Sequence, residues 1–349
     1  MPLPGTELID LRSDTKTQPD EQMRLAMSRA EVGDDKSGED PTTRRLEEMS
    51  AEILGKEAGL FVVSGTMGNL VSIKTQTRPG QEIICERDAH IYRYEGGGLS
   101  AICGLLPRLV PGVHGAMDPA AVEAAISDGS NVHVGPTGLI EIENTHNVAG
   151  GTVLPLEHVR EICNVAHDHS IPVHCDGARI FNAATALGVS AAELAAPVDT
   201  IQFCFSKGLG APIGSMICGT REFVEAARSV RNIVGGALRQ AGVIAAAALV
   251  ALEEGRKRLH EDHEHARRIA ETLAELRGIT VDMATVQTNI ANLEVHRDDL
   301  DAPGLCGELQ RYGILAIPRG EHEIRLVTHK QVDDADTDRV CLALREVLA

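Results

Sequence analysis

A lysine closes an apolar run in the middle of this chain, and few folds tolerate that. Ile201 to Phe205 reads as a buried strand, and Ser206-Lys207-Gly208-Leu209-Gly210-Ala211-Pro212 follows it. Two glycines and a proline stop regular structure and let the backbone approach a ligand. An ammonium at the end of a buried strand is costly unless something uses it. Burial and a nearby cation both lower an amine's pKa, which frees its lone pair as a nucleophile. Its natural partner is a carbonyl, and the cofactor that offers one is pyridoxal phosphate, held as a Schiff base. The plain alternative is a lysine that snorkels to the surface.

A second run favours the cofactor. Ile171-Pro172-Val173-His174-Cys175 is a short apolar strand that ends in Asp176-Gly177-Ala178-Arg179. Ligands of open α/β sheets sit beyond the carboxyl ends of the strands. An aspartate there can pair with a protonated pyridine nitrogen and keep the ring an electron sink. A lone Asp-Gly is more often a turn; the strand-end aspartate and the strand-end Ser-Lys together point to pyridoxal phosphate.

Two further strand ends carry chemistry. Gly59 to Val63 is a short strand that runs into Ser64-Gly65-Thr66, which opens a helix. Such a start is either a plain N-cap or a phosphate cradle, and the later Asp and Lys favour the cradle. Glu82 to Glu86 is another strand, followed by Arg87-Asp88-Ala89-His90. His90 is either a hydrogen-bonded loop residue or an imidazole that lies on the cofactor ring and moves protons.

The alternation of strands and helices predicts a mainly parallel sheet with helices on both faces. A long helix is expected from about 241 to 276, interrupted near Gly255. Beyond it the pattern reads β-α-β-β-α. We therefore expect an N-terminal segment, 1–18, a large cofactor-binding domain, 19–250, and a small α+β domain, 251–349.

Composition bounds the rest. A chain of 349 residues suits about two domains, and its formal charge of −18 argues against nucleic acid and anionic membranes. No apolar run is long enough to span a bilayer, and the first residues lack the pattern of a signal peptide. The eight cysteines are scattered with no Cys-x-x-Cys pair, and are expected to be reduced core residues. This fits a cytoplasmic protein. His260-Glu261-Asp262-His263-Glu264-His265 has the composition of a metal site, but on a helix these residues spread around the axis, so no metal is expected.

Taken together, the motifs resemble the low-specificity L-threonine aldolases, within the fold type I group of pyridoxal phosphate enzymes. The likeness covers nearly the whole chain, from Asp10-Leu11-Arg12-Ser13-Asp14-Thr15 through Gly38 to Thr42, Glu143-Asn144-Thr145-His146-Asn147 and the Asp176 and Lys207 motifs to Ile324 to His329. The resemblance implies that Lys207 holds the cofactor as a Schiff base and that Asp176 pairs with the pyridine nitrogen, with His90 stacked on the ring. It implies that Ser64, Gly65 and Thr66 hold the phosphate, with Ser206 beside the lysine and Arg239 reaching in from a neighbouring subunit. Ser13, Arg179 and Arg325 then clamp the substrate carboxylate, and His133 and His90 lie near the β-hydroxyl. The general base stays open between His90, His133 and an ordered water. The family is usually a homotetramer built from dimers that share sites.

The implied reaction splits L-threonine, L-allo-threonine or a related β-hydroxy-α-amino acid into glycine and an aldehyde. The same fold also serves β-eliminating lyases, aminotransferases and transaldolases. Two departures from the family pattern bear on specificity. Lys36-Ser37 replaces the usual Val-Tyr, and Gly135-Pro136-Thr137-Gly138 stands where relatives often carry arginine.

Overall fold

The computed structural model describes residues 8–349. Residues 1–7, on which the signal-peptide expectation falls, lie outside the described residues.

The large sheet has seven strands: β1 (Ala58–Val62), β2 (Glu82–Glu86), β3 (Leu106–Val110), β4 (Thr137–Glu143), β5 (Val173–Asp176), β6 (Thr200–Cys204) and β7 (Ser215–Gly219). Their spatial order is β1-β7-β6-β5-β4-β2-β3. From β6 to β3 every pairing is parallel, while β7 runs antiparallel between β6 and β1. The expected fold type I architecture, a mainly parallel α/β sheet flanked by helices, is therefore present. β2, β4 and β6 are buried along their whole length, as central strands covered on both faces must be.

Local signals set the helix ends. Asp40 caps Pro41–Leu54 by accepting from the Thr43 amide, and Gly55 ends it in a left-handed conformation at φ 62°. The expected long helix is two: Gly242–Glu254 and Leu259–Ala274, joined by a 3-10 turn at Gly255–Lys257.

A second sheet, β8 (Ile279–Thr280), β9 (Ile290–Val295), β10 (Ile317–Pro318) and β11 (Glu323–Val327), runs in the order β8-β9-β11-β10, all antiparallel. The helices Ala302–Arg311 and Asp334–Val347 accompany it. Its core includes Leu293, Leu305, Leu326 and Val340, and also Ile9 and Leu11 from the other end of the chain. Ile9 and Asp10 pair in parallel with Ile314 and Leu315. That pairing fixes the polar segment after Leu11, including Ser13, between the two sheets.

Candidate active site

The carboxyl ends of β2, β4, β5 and β6 meet at one edge, and register aligns what they carry. Glu143 pairs with Asp176, and Asp176 with Gln202, so three polar side chains stand side by side across three strands. Asp176 is 2% exposed and accepts from Gln202 Nε2 at 2.6 Å, Asn69 Nδ2 at 2.8 Å and the Ala178 amide at 3.0 Å. Burial disfavours its charge, but the cations His90 and Lys207 and these donors outweigh burial and hold its pKa below the ordinary carboxylate range.

Asn69 is the hub of this layer. Its second amide hydrogen goes to Glu95 Oε1 at 2.8 Å, and its carbonyl faces His174 Nε2 at 3.2 Å. His174 Nδ1 lies 2.9 Å from the Thr200 hydroxyl. Burial pushes the His174 pKa down to about 4, so the ring is neutral, and the network assigns its proton to Nε2.

His90 opens a short helix just past β2. Its amide donates to Glu143 Oε2 at 2.7 Å, and the other oxygen of Glu143 takes the Asn147 amide at 2.8 Å. One carboxylate thus pins two segments of the site. His90 Nδ1 lies 3.0 Å from Glu95 Oε1, which leaves Nε2 for a ligand. Burial lowers the His90 pKa, yet the Glu95 hydrogen bond and the Asp176 charge outweigh it and the net shift is upward. Burial likewise raises Glu95, whose Oε2 has no partner among the described residues.

A cavity of about 410 Å³ opens above this edge, and Lys207, His90, Arg179, Arg325 and Ser13 all line it. Arg179 is buried and makes a fork to Asp14, Nε to Oδ2 at 2.6 Å and Nη2 to Oδ1 at 2.8 Å. Burial opposes the Asp14 charge, but Arg179 prevails and holds its pKa at about 2. Arg325, on β11, donates to Asn147 Oδ1 at 2.7 Å. Burial, then repulsion from Arg319 and Arg179, bring its pKa down to about 10.

Other expected site residues lie outside this cavity's walls. Ser64 caps the helix Gly65–Gln76 by accepting from the Met67 amide at 3.2 Å. The amides of Gly65 and Thr66 have no partner among the described residues. A Cβ on Gly65 would meet Cys204 Sγ at 2.8 Å, so only glycine lets this helix start sit so close to β6. Ser206 directly precedes Lys207 and is half-buried. Arg239 is largely exposed and pairs with Asp34 at 2.7 Å. His133 is exposed in the loop before β4, at the opposite end of that strand from Asn147 and the Glu143 carboxylate. Lys36 and Ser37 form an exposed 3-10 turn, away from the cavity.

These residues fit pyridoxal phosphate by the chemistry of the donor set: an amine, a buried ionised carboxylate to meet a pyridinium, and free helix N-terminal amides for a phosphate. Fold and site together define a fold type I pyridoxal phosphate enzyme. Within that class, the profile of the beta-eliminating lyase family matches residues 10–296, and the chain belongs to this family. It is 44% identical over 343 residues to a probable low-specificity L-threonine aldolase 2 of Arabidopsis thaliana, covering 97% of each chain. It is 36% identical over 342 residues to the low specificity L-threonine aldolase of Escherichia coli (strain K12), covering 98% of this chain and 100% of that one. A solved Leishmania major threonine aldolase superposes with a TM-score of 0.82 at 18% identity, over 98% of this chain and 100% of the other.

Sequence reasoning missed several members of the site. Asn69, Glu95, His174, Asp14 and Gln202 hold the named residues in place, and Tyr94, Asn147 and Arg319 line the cavity. A signal existed for Glu95, five residues after His90 in the same short segment; none existed for Arg319.

Proposed function

We propose that this chain is a pyridoxal-phosphate-dependent aldolase that splits L-threonine, L-allo-threonine and related β-hydroxy-α-amino acids into glycine and an aldehyde. The observation that carries the reading is the single cavity lined by an amine, an oriented imidazole and carboxylate-binding guanidinium groups. Its relatives' aldolase names agree with it.

Lys207 and Asp176 hold the cofactor's aldehyde carbon and ring nitrogen, with Ser206 beside the lysine. Ser64, Gly65 and Thr66 hold its phosphate, together with Arg239 of a neighbouring subunit. Pyridoxal phosphate, when bound, supplies the electron sink that makes a Cα–Cβ bond breakable. Arg325 and the free Nη1 of Arg179 take the substrate carboxylate, with Ser13 beside them, and so fix how Cα is turned. Asp14 keeps Arg179 in that pose. His90 takes the β-hydroxyl proton at Nε2, while Glu95 orients the ring through Nδ1. His133 does not line this chain's cavity, which favours His90 for that role.

The enzyme is a cytoplasmic homotetramer in this reading. Exposed Arg239 supports a shared site, and eight free thiols support a reducing compartment. Among the described residues, no helix is long and apolar enough to cross a membrane. The test is a panel of L-threonine, L-allo-threonine and L-3-phenylserine, scored for aldehyde and glycine in equal amounts. Cofactor-loaded protein that releases neither, or that makes a keto acid instead, refutes the proposal.

A further inference from the structure

The cavity holds more positive charge than a threonine-like substrate can use. Arg179, Arg319, Arg325 and Lys207 line it, and among the described residues no aspartate or glutamate does. Arg179 is already answered by Asp14. Among the described residues, the Arg325 side chain is bonded only to the neutral amide of Asn147. The Arg319 side chain makes no hydrogen bond or ion pair among the described residues; only its amide is used, donating to Glu323 O at 2.7 Å. Arg319 follows β10 and Arg325 sits on β11, so one edge of the small sheet delivers both. An α-carboxylate satisfies one guanidinium fork. It leaves the other without a hydrogen-bonded anion in a partly dry site, where charges of one sign repel. The proposed function assigns the cofactor's phosphate instead to Ser64, Gly65 and Thr66, at the start of the helix that follows β1.

We propose that Arg319 selects β-hydroxy-α-amino acids whose β-substituent ends in an anionic group, so that the aldehyde released is itself an anion. This rests on the aldolase reading and names its substrate class. A carboxylate and a phosphate share the chemistry a guanidinium recognises. With L-3-hydroxyaspartate, the Cα–Cβ bond breaks and its electron pair stays with Cα. The β-hydroxyl loses its proton and becomes the carbonyl of glyoxylate, and Cα gains a proton to leave as glycine. No oxidant or reductant is needed.

The test compares the cofactor-loaded protein with R319Q and R319K. Turnover of L-3-hydroxyaspartate, L-threonine and a 4-phosphorylated 3-hydroxy amino acid is scored by glycine release. Binding of L-aspartate and L-2-aminobutyrate, neither of which carries a hydroxyl to be cleaved, is followed by the cofactor's visible absorbance. In R319Q the kcat/KM ratio of an anionic substrate to L-threonine should fall about thirty-fold, as should the binding preference for L-aspartate. R319K should lie between, because it keeps the charge without the fork. Whichever anionic substrate loses more identifies the carboxylate or the phosphate. Unchanged ratios in R319Q overturn the proposal even if threonine is cleaved. An Arg319-dependent preference for L-aspartate in a protein that cleaves no amino acid upholds the anion site and refutes the aldolase reading.

Discussion

On the large-sheet side of the cavity, Asp176 accepts three hydrogen bonds and Asn69 makes three; on the small-sheet side, among the described residues, the Arg325 side chain donates one to a neutral amide and the Arg319 side chain none. Lys207 and His90 on one side and Arg319 and Arg325 on the other line the same 410 Å³, but the layers around them are finished to different degrees. A wall whose polar groups are already paired is preorganised: it fixes protonation and orientation before anything binds. A wall whose guanidinium groups have no hydrogen-bonded anion is complete only with a solute in it. In the proposed reading the first sets which reaction runs, and the second sets which molecule it runs on.

The sharpest break in this division comes from removing the amine on the finished side. Lys207→Ala should lower kcat by at least about a thousandfold, the scale of losing a covalent catalyst. Borohydride trapping and peptide mapping should find the cofactor on Lys207 in the native protein and nowhere in the variant. A tag on another residue breaks the assignment.

Asp14→Ala probes the seam between the walls, because Asp14 holds Arg179 in a buried fork. Removing one partner of a buried pair strands the other charge, at a cost of about 3–5 kcal/mol. Equilibrium urea unfolding should show that loss. The pH dependence has a definite sign. Arg179 depresses the folded-state pKa of Asp14 from 3.8 to about 2. Its stabilisation is therefore complete above the unfolded value and lost as pH falls from about 4 through about 2. Native protein should lose stability across that window, and the variant should lose less. Equal acid sensitivity would mean that the fork contributes nothing.

The two walls were unequally legible in the sequence. Lys207 and Asp176 are announced by local pattern, an apolar run stopped by a polar residue and a glycine. The β6 boundaries moved by only one residue from those expected. What supports them is not local. Asn69 reaches Asp176 across 107 positions and Asp14 reaches Arg179 across 165, and no spacing rule spans that. His133 teaches the converse. It precedes β4, and in a parallel sheet the residues before a strand lie at the end away from the ligand edge. Topology alone separates it from His90 within one chain, whatever family likeness implies. Arg319 was invisible because its meaning lies in lacking a partner, which only the packed structure displays.

The smallest effect expected tests how finished the large-sheet wall is. His90 feels opposed influences: burial lowers its pKa, and the Glu95 hydrogen bond and the Asp176 charge raise it further than burial lowers it. Glu95→Gln keeps an acceptor at 3.0 Å from Nδ1 but removes its charge. The His90 pKa should then fall, because the neutral amide no longer favours the imidazolium. With neutral His90 as the proposed base, activity should rise as pH climbs through that pKa. The acid limb of the kcat/KM profile should shift to lower pH in the variant, while the plateau drops only a few-fold because a less basic imidazole is a poorer proton acceptor. A purely structural role for Glu95 predicts a lower plateau with the limb unmoved. That outcome would take Glu95 out of the proton path and leave Asp176 as the only carboxylate on this wall that acts on the chemistry.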